Sequence, residues 1–105
     1  MIEHLVLFQL VADISPEKVE WMLRETRLRL LKIPSVLAVR CGTNLDASSE
    51  WSFFLSVVVE TPEKLAAYSS DPTHQKFVAE VIKPNTCARL ALDFQTVPGG
   101  DPLYF

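Results

Sequence analysis

Hydrophobic positions along this chain follow two rhythms, one of period two and one of three to four. The opening stretch MIEHLVLFQLV sets Ile2, His4, Val6, Phe8 and Leu10 on one side of an extended chain, and Glu3, Leu5, Leu7, Gln9 and Val11 on the other. Both sides are largely apolar, which predicts a strand covered on both faces. In ISPEKVEWMLRETRLRLLKIP the period lengthens. Val19, Met22, Leu23, Thr26, Leu30 and Ile33 make one helical stripe, while Trp21 and Leu28 fall on the outer side. Ser15 stands where a cap belongs, Pro16 takes the first helical position, Glu17 lies in the first turn and Pro34 closes the helix.

The segments SVLAVRCGTNL and EWSFFLSVVVE read as a hairpin across the polar DASSE. Within the second of them, Trp51, Phe53, Leu55, Val57 and Val59 alternate with Ser52, Phe54, Ser56, Val58 and Glu60. Thr61 and Pro62 launch a short helix, and Asp71 and Pro72 launch another that runs until Pro84 forbids continuation. TCARLALDFQTV is the last strand and PGGDPLYF an irregular tail. The order predicts an α+β fold, ferredoxin-like β-α-β-β-α-β with a four-stranded antiparallel sheet, over residues 1–97, with 98–105 as a C-terminal tail. One sheet face carries Leu5, Leu7 and much of the third strand and needs cover. A second copy packed sheet against sheet, a homodimer with a barrel-like centre, supplies that cover. The tail, ending Leu103-Tyr104-Phe105, is expected to lie across the Trp21–Leu28 patch of its own protomer or of the partner.

Composition narrows the partners. A chain of 105 residues makes one domain, and a net charge of -3 gives no basic footprint for nucleic acid or an anionic membrane surface. The longest apolar run, FFLSVVV, falls far short of the roughly 20 residues that span a bilayer. Glu3 and His4 interrupt the N-terminal apolar stretch, so no signal peptide is expected. Cys41 and Cys87 lack CxxC or metal-type spacing and read as ordinary core or strand residues of a cytoplasmic protein.

The candidate chemistry centres on YSSDPTHQKF. His74 is the third residue of its helix and shares a stripe with Phe77, Val78, Val81 and Ile82. A positive helix end and an apolar pocket both disfavour imidazolium, and a neutral imidazole is what a general base requires. Tyr68, one turn after Leu65, faces the same side, and its hydroxyl can donate to a substrate oxygen. The plain alternative makes His74 a core-facing imidazole bonded to a backbone carbonyl and Tyr68 a buried ring. His4, sharing its face with Val6 and Phe8, is expected across the pocket from His74. Two histidines and Asp71 could form a ligand set, but Asp71 is better explained as a cap, and neither metal nor cofactor is expected. Arg89 and Asp93 share a strand face with Cys87; Asp93 reads as structural, with Arg40 as a candidate partner.

HLVLFQL, IPSVLAVRCGTNL, VVVETPEKLAAYSSDPTHQKFV and LALDF together resemble the stress-responsive A/B barrel (Dabb) domain family, from His4 to Phe94. The most specific element is Tyr-x-x-x-Pro-x-His-x-x-Phe, here Tyr68, Pro72, His74 and Phe77. The resemblance implies a dimeric α+β barrel with a ligand pocket between sheet and helices. It also implies acid–base roles for Tyr68 and His74, which match the working pair of a plant polyketide cyclase in the family, and a pocket position for His4. That cyclase lines its pocket with aromatics on the first helix, where this chain offers Met22, Leu23 and Thr26. Further departures are Gln9, where many members carry lysine, and Asp71, where many carry histidine. Three functions are compatible. One is cofactor-free acid–base catalysis, of cyclase, lyase or isomerase type, on a small hydrophobic carbonyl-bearing or aromatic ligand. The others are a non-catalytic stress-response dimer and a cofactor-free quinol-type monooxygenase.

Overall fold

The computed structural model describes residues 1–97. Its elements are β1 (Ile2–Leu10), α1 (Pro16–Leu30), β2 (Ala38–Thr43), β3 (Phe53–Val59), α2 (Pro62–Ser70), α3 (Pro72–Phe77) and β4 (Thr86–Gln95). All pairings are antiparallel, in the order β2-β3-β1-β4. This is the ferredoxin-like arrangement of a four-stranded sheet with its helices on one face. The tail expected across the first helix lies outside the described residues.

The side-chain alternation fixes which face is which. Ile2, Val6, Phe8, Phe53, Leu55, Val57 and Val59 are buried beneath the helices, and the register sets Phe8 opposite Phe53 and Val6 opposite Leu55. Met22, Leu30, Ile33, Tyr68, Phe77, Val81 and Ile82 close the core from above. The other face keeps Leu90, Leu92 and Phe94 exposed. There the ring of Phe54 lies over Gly42, where an added Cβ would come within 3.0 Å of the ring.

Caps begin each helix where the residue types allow. Ser15, Thr61 and Asp71 accept from the backbone amides of Lys18, Lys64 and Thr73, each followed by proline at the start of its helix. Such a cap contributes about 1 kcal/mol. The helix read as continuous to Pro84 divides. After Phe77 it widens over Val78–Ile82, where the Lys83 amide reaches back five residues to the Val78 carbonyl, and it closes with a tight turn over Lys83–Asn85.

Two further expectations change. Trp21 is not an outward residue: it packs against the edge of the core, with the Lys18 ammonium 4.7 Å from its ring centre, while Leu28 is exposed. The indole is large enough to reach back to the core from a flanking helical position. Arg40 does not meet Asp93. It bonds Glu3 at 2.9 Å on the open face, whereas Asp93 points to the helix side.

Candidate functional site

A cleft of about 450 Å³ opens between the helical layer and the β1–β4 half of the sheet. Its floor is His4, Val6 and Phe8 of β1 with Leu55 of β3. Tyr68, Ser69, His74, Phe77, Val78 and Ile82 form the helical wall, and Lys83 with Thr86 to Arg89 forms the rim.

The helical wall is shaped by one break. Asp71 is extended (φ -62°, ψ 131°) and caps the start of α3, while its own amide bonds the Tyr68 carbonyl at the end of α2. Its side chain takes the Thr73 amide, which in an unbroken helix would bond the Ser69 carbonyl. That carbonyl is instead met by Nδ1 of His74 at 3.0 Å. A carbonyl only accepts, so Nδ1 carries the proton and Nε2 keeps its lone pair. The turn also brings the His74 ring to 4.3 Å from that of Tyr68, centre to centre.

Electrostatics assign complementary capacities to the pair. Burial, reinforced by His4 and Arg89, draws His74 below the ordinary 6.5, against the opposing Ser69 bond and Asp71 charge. The imidazole is therefore neutral near pH 7. Burial alone pushes the Tyr68 hydroxyl far above its ordinary 10, so it remains a neutral phenol with a proton to donate.

His4 enters from the floor, its ring 5.9 Å from that of Tyr68. It stands opposite Asp93 in the β1–β4 register, and the two side chains bond through Nδ1 at 2.5 Å. The carboxylate fixes the ring's orientation and tautomer, leaving the other nitrogen for the cleft.

His4, Val6, Phe8, Tyr68, His74 and Phe77 thus line one cavity. Met22, Leu23 and Thr26 do not, which corrects the expectation for the first helix. α1 lies over β2 and against α3, away from the β1–β4 half, and Cys41 of β2 reaches the Leu23 carbonyl. Met22 and Thr26 are fully buried, and the Thr26 hydroxyl is spent on the Met22 carbonyl at 2.7 Å. Sequence reading missed Leu55, Val78, Ile82 and Lys83 as lining. It did place Cys87 and Arg89 on one strand face, the available signal for the rim. Cys41 is half-buried beside the core and Cys87 is exposed. Among the described residues no cluster of His, Cys, Asp or Glu is disposed to hold a metal, and no helix is long and apolar enough to cross a membrane.

Fold and cleft together define a small ferredoxin-like protein with a ligand-sized cavity under its helices. The stress responsive A/B barrel domain model matches residues 2–96, and the chain belongs to that family. No curated protein matches the chain. Among solved structures it is similar to a dimeric ferredoxin-like protein of unknown function from Thermobifida fusca, 24% identical, with 90% of each chain covered and a TM-score of 0.80. A Dabb family protein with a ferredoxin-like fold from Mesorhizobium loti is 22% identical over 94% of this chain and 97% of that one, with a TM-score of 0.79. The hydroxynitrile lyase from Passiflora edulis is 14% identical over 92% and 96%, with a TM-score of 0.77. At these identities the likeness shows the fold alone.

Proposed function

We propose that the protein binds a small hydrophobic, carbonyl-bearing or aromatic molecule in this cleft and catalyses proton transfer next to the carbonyl, with no cofactor. The observation that carries the reading is the Tyr68–His74 pair: rings 4.3 Å apart, with His74 Nδ1 committed to Ser69. Nε2 of His74 takes a proton from the carbon beside the carbonyl. The C–H electron pair becomes the new C=C bond, and the carbonyl π pair moves onto oxygen, where the Tyr68 O–H donates to the developing enolate. Return of the proton to another atom gives an isomerase. Attack of the enolate carbon on a second carbonyl gives ring closure, and the reverse of such an addition gives a lyase. His4, held by Asp93, orients the ligand from the floor.

The protein works in this reading as a homodimer joined through its open sheet faces; solved structures of this fold from Thermobifida fusca, Bacteroides fragilis and Jannaschia are described as dimeric. The test is solvent-deuterium exchange into a panel of aryl ketones and β-keto esters, followed by NMR. Exchange catalysed by the wild type and lost in His74→Ala supports the reading. Exchange that persists in the variant removes His74 as the base, and an absence of binding and exchange across the panel favours the non-catalytic dimer.

A further inference from the structure

The cleft is electrically one-sided. Lys83 and Arg89 line it, and no acidic side chain does. Both cations belong to the same end. Lys83 starts the tight turn that leads into β4, and Arg89 stands on β4 opposite Phe8, on the helix-facing side. His4 lies four residues back along β1, about 13 Å at the rise of a strand, so the cleft has a histidine end and a cationic end. Among the described residues neither Lys83 nor Arg89 forms an ion pair, although Arg29 and Arg40 do. The acid nearest along β4 on the same face, Asp93, is engaged by His4 at the far end. The chain as a whole carries a net charge of -3, so this concentration of positive charge runs against its average. Beside it lie the apolar walls of Phe8, Phe77, Val78 and Ile82. A low-dielectric wall next to unopposed cations focuses their field on the cavity mouth.

We propose that the cleft selects hydrophobic acids. The carboxylate, or a comparable oxyanion, is held at the β4 rim by Arg89 and Lys83 while the apolar body lies along Phe8 and Phe77 toward Tyr68. The inference rests on the ligand-pocket reading above and deepens it by naming the charge of the ligand. Both cations are exposed, so each contributes a modest, salt-sensitive preference of about three- to fivefold.

The experiment compares matched acids and amides by calorimetry: phenylacetate, 4-phenylbutanoate, 2-naphthoate and octanoate, each beside its uncharged amide. Wild type, Arg89→Gln, Lys83→Gln and the double variant are titrated at low and high salt, with melting temperatures recorded to verify folding. Supporting results are an acid bound at least about fivefold more tightly than its amide by the wild type, an advantage that disappears in the double variant and shrinks in high salt, and unchanged amide affinity throughout. Equal binding of acid and amide by the wild type overturns the charge selection and leaves the pocket standing. Failure of every acid and amide to bind the wild type overturns the pocket reading and this inference with it.

Discussion

Leu92 offers the sharpest test of how the sheet is covered. It lies opposite Leu5 of β1 on the open face, with Leu90 and Phe94 sharing its side of β4. The three are 37%, 40% and 51% exposed respectively. At about 1.5–3 kcal/mol for full burial of such a side chain, covering what remains exposed contributes roughly 2–4 kcal/mol per protomer. Across a twofold axis the figure is about double. In the proposed dimer, Leu92→Glu removes one of these contacts from each protomer and sets two carboxylates in the same apolar seam. The desolvation penalty is several kcal/mol per ion, so the dimer should weaken by at least about 4 kcal/mol, roughly a thousandfold in Kd. Sedimentation velocity between about 1 and 100 µM reads this directly, and circular dichroism checks that the partly exposed site tolerates the change. A variant that sediments as the wild type does, or a wild type that is monomeric over the whole range, refutes the reasoning.

The remaining predictions concern the cleft and its neighbours. Burial holds His74 below 6.5 in the folded chain, so the unfolded chain binds the extra proton first on acidification. The neutral imidazole's contribution to stability is complete above pH 6.5 and is lost as pH falls through the lower folded value. Wild-type Tm should fall more steeply below pH 6.5 than that of His74→Asn; parallel profiles would contradict the assignment. Tyr68→Phe keeps the buried ring and should change stability by no more than about 1 kcal/mol while slowing proton exchange at least about tenfold. Tyr68→Ala should cost about 3–5 kcal/mol in a denaturant titration. Met22→Ala should cost about 2–5 kcal/mol yet leave ligand Kd within about twofold, because the side chain lies in the core and not in the cleft; a larger change in Kd would return α1 to the site.

What could be read from sequence divides by the range of the interaction. The inward face of β1 was legible because period-two alternation and burial coincide at Ile2, Val6 and Phe8. Ser15, Thr61 and Asp71 were legible because a capping side chain answers amides only two or three residues away. The stripe of Met22, Leu23 and Thr26 was correctly a core stripe, but periodicity does not say which half of the sheet a helix covers, and α1 went to the β2 side. Asp93 shows the same limit. Its alternation with Arg89 was visible, yet its partner follows from the register that sets it opposite His4. Arg40 meets Glu3 across the intervening strand on the opposite face. The widened turn after Phe77 had no sequence signal either, since His74, Phe77, Val78, Val81 and Ile82 satisfy a three-four spacing without revealing the five-residue bond from Lys83 to Val78.

The pairing of Tyr68 with His74 depends on the chain breaking at Asp71. In an unbroken helix, six residues advance the axis by about 9 Å and leave the two side chains about 120° apart, too far for rings 4.3 Å from centre to centre. Proline at residue 72 disfavours a helical Asp71, and the Asp71 carboxylate then answers the Thr73 amide that a continuous helix would have sent to Ser69. The freed Ser69 carbonyl becomes the acceptor that holds His74 Nδ1. The local signal of a helix start therefore does two things at once: it breaks the chain between α2 and α3 so that the two rings meet, and it selects the imidazole tautomer that leaves Nε2 unprotonated. In the proposed mechanism the histidine that satisfies the freed carbonyl is also the one that would take the proton, its two nitrogens serving the two purposes separately.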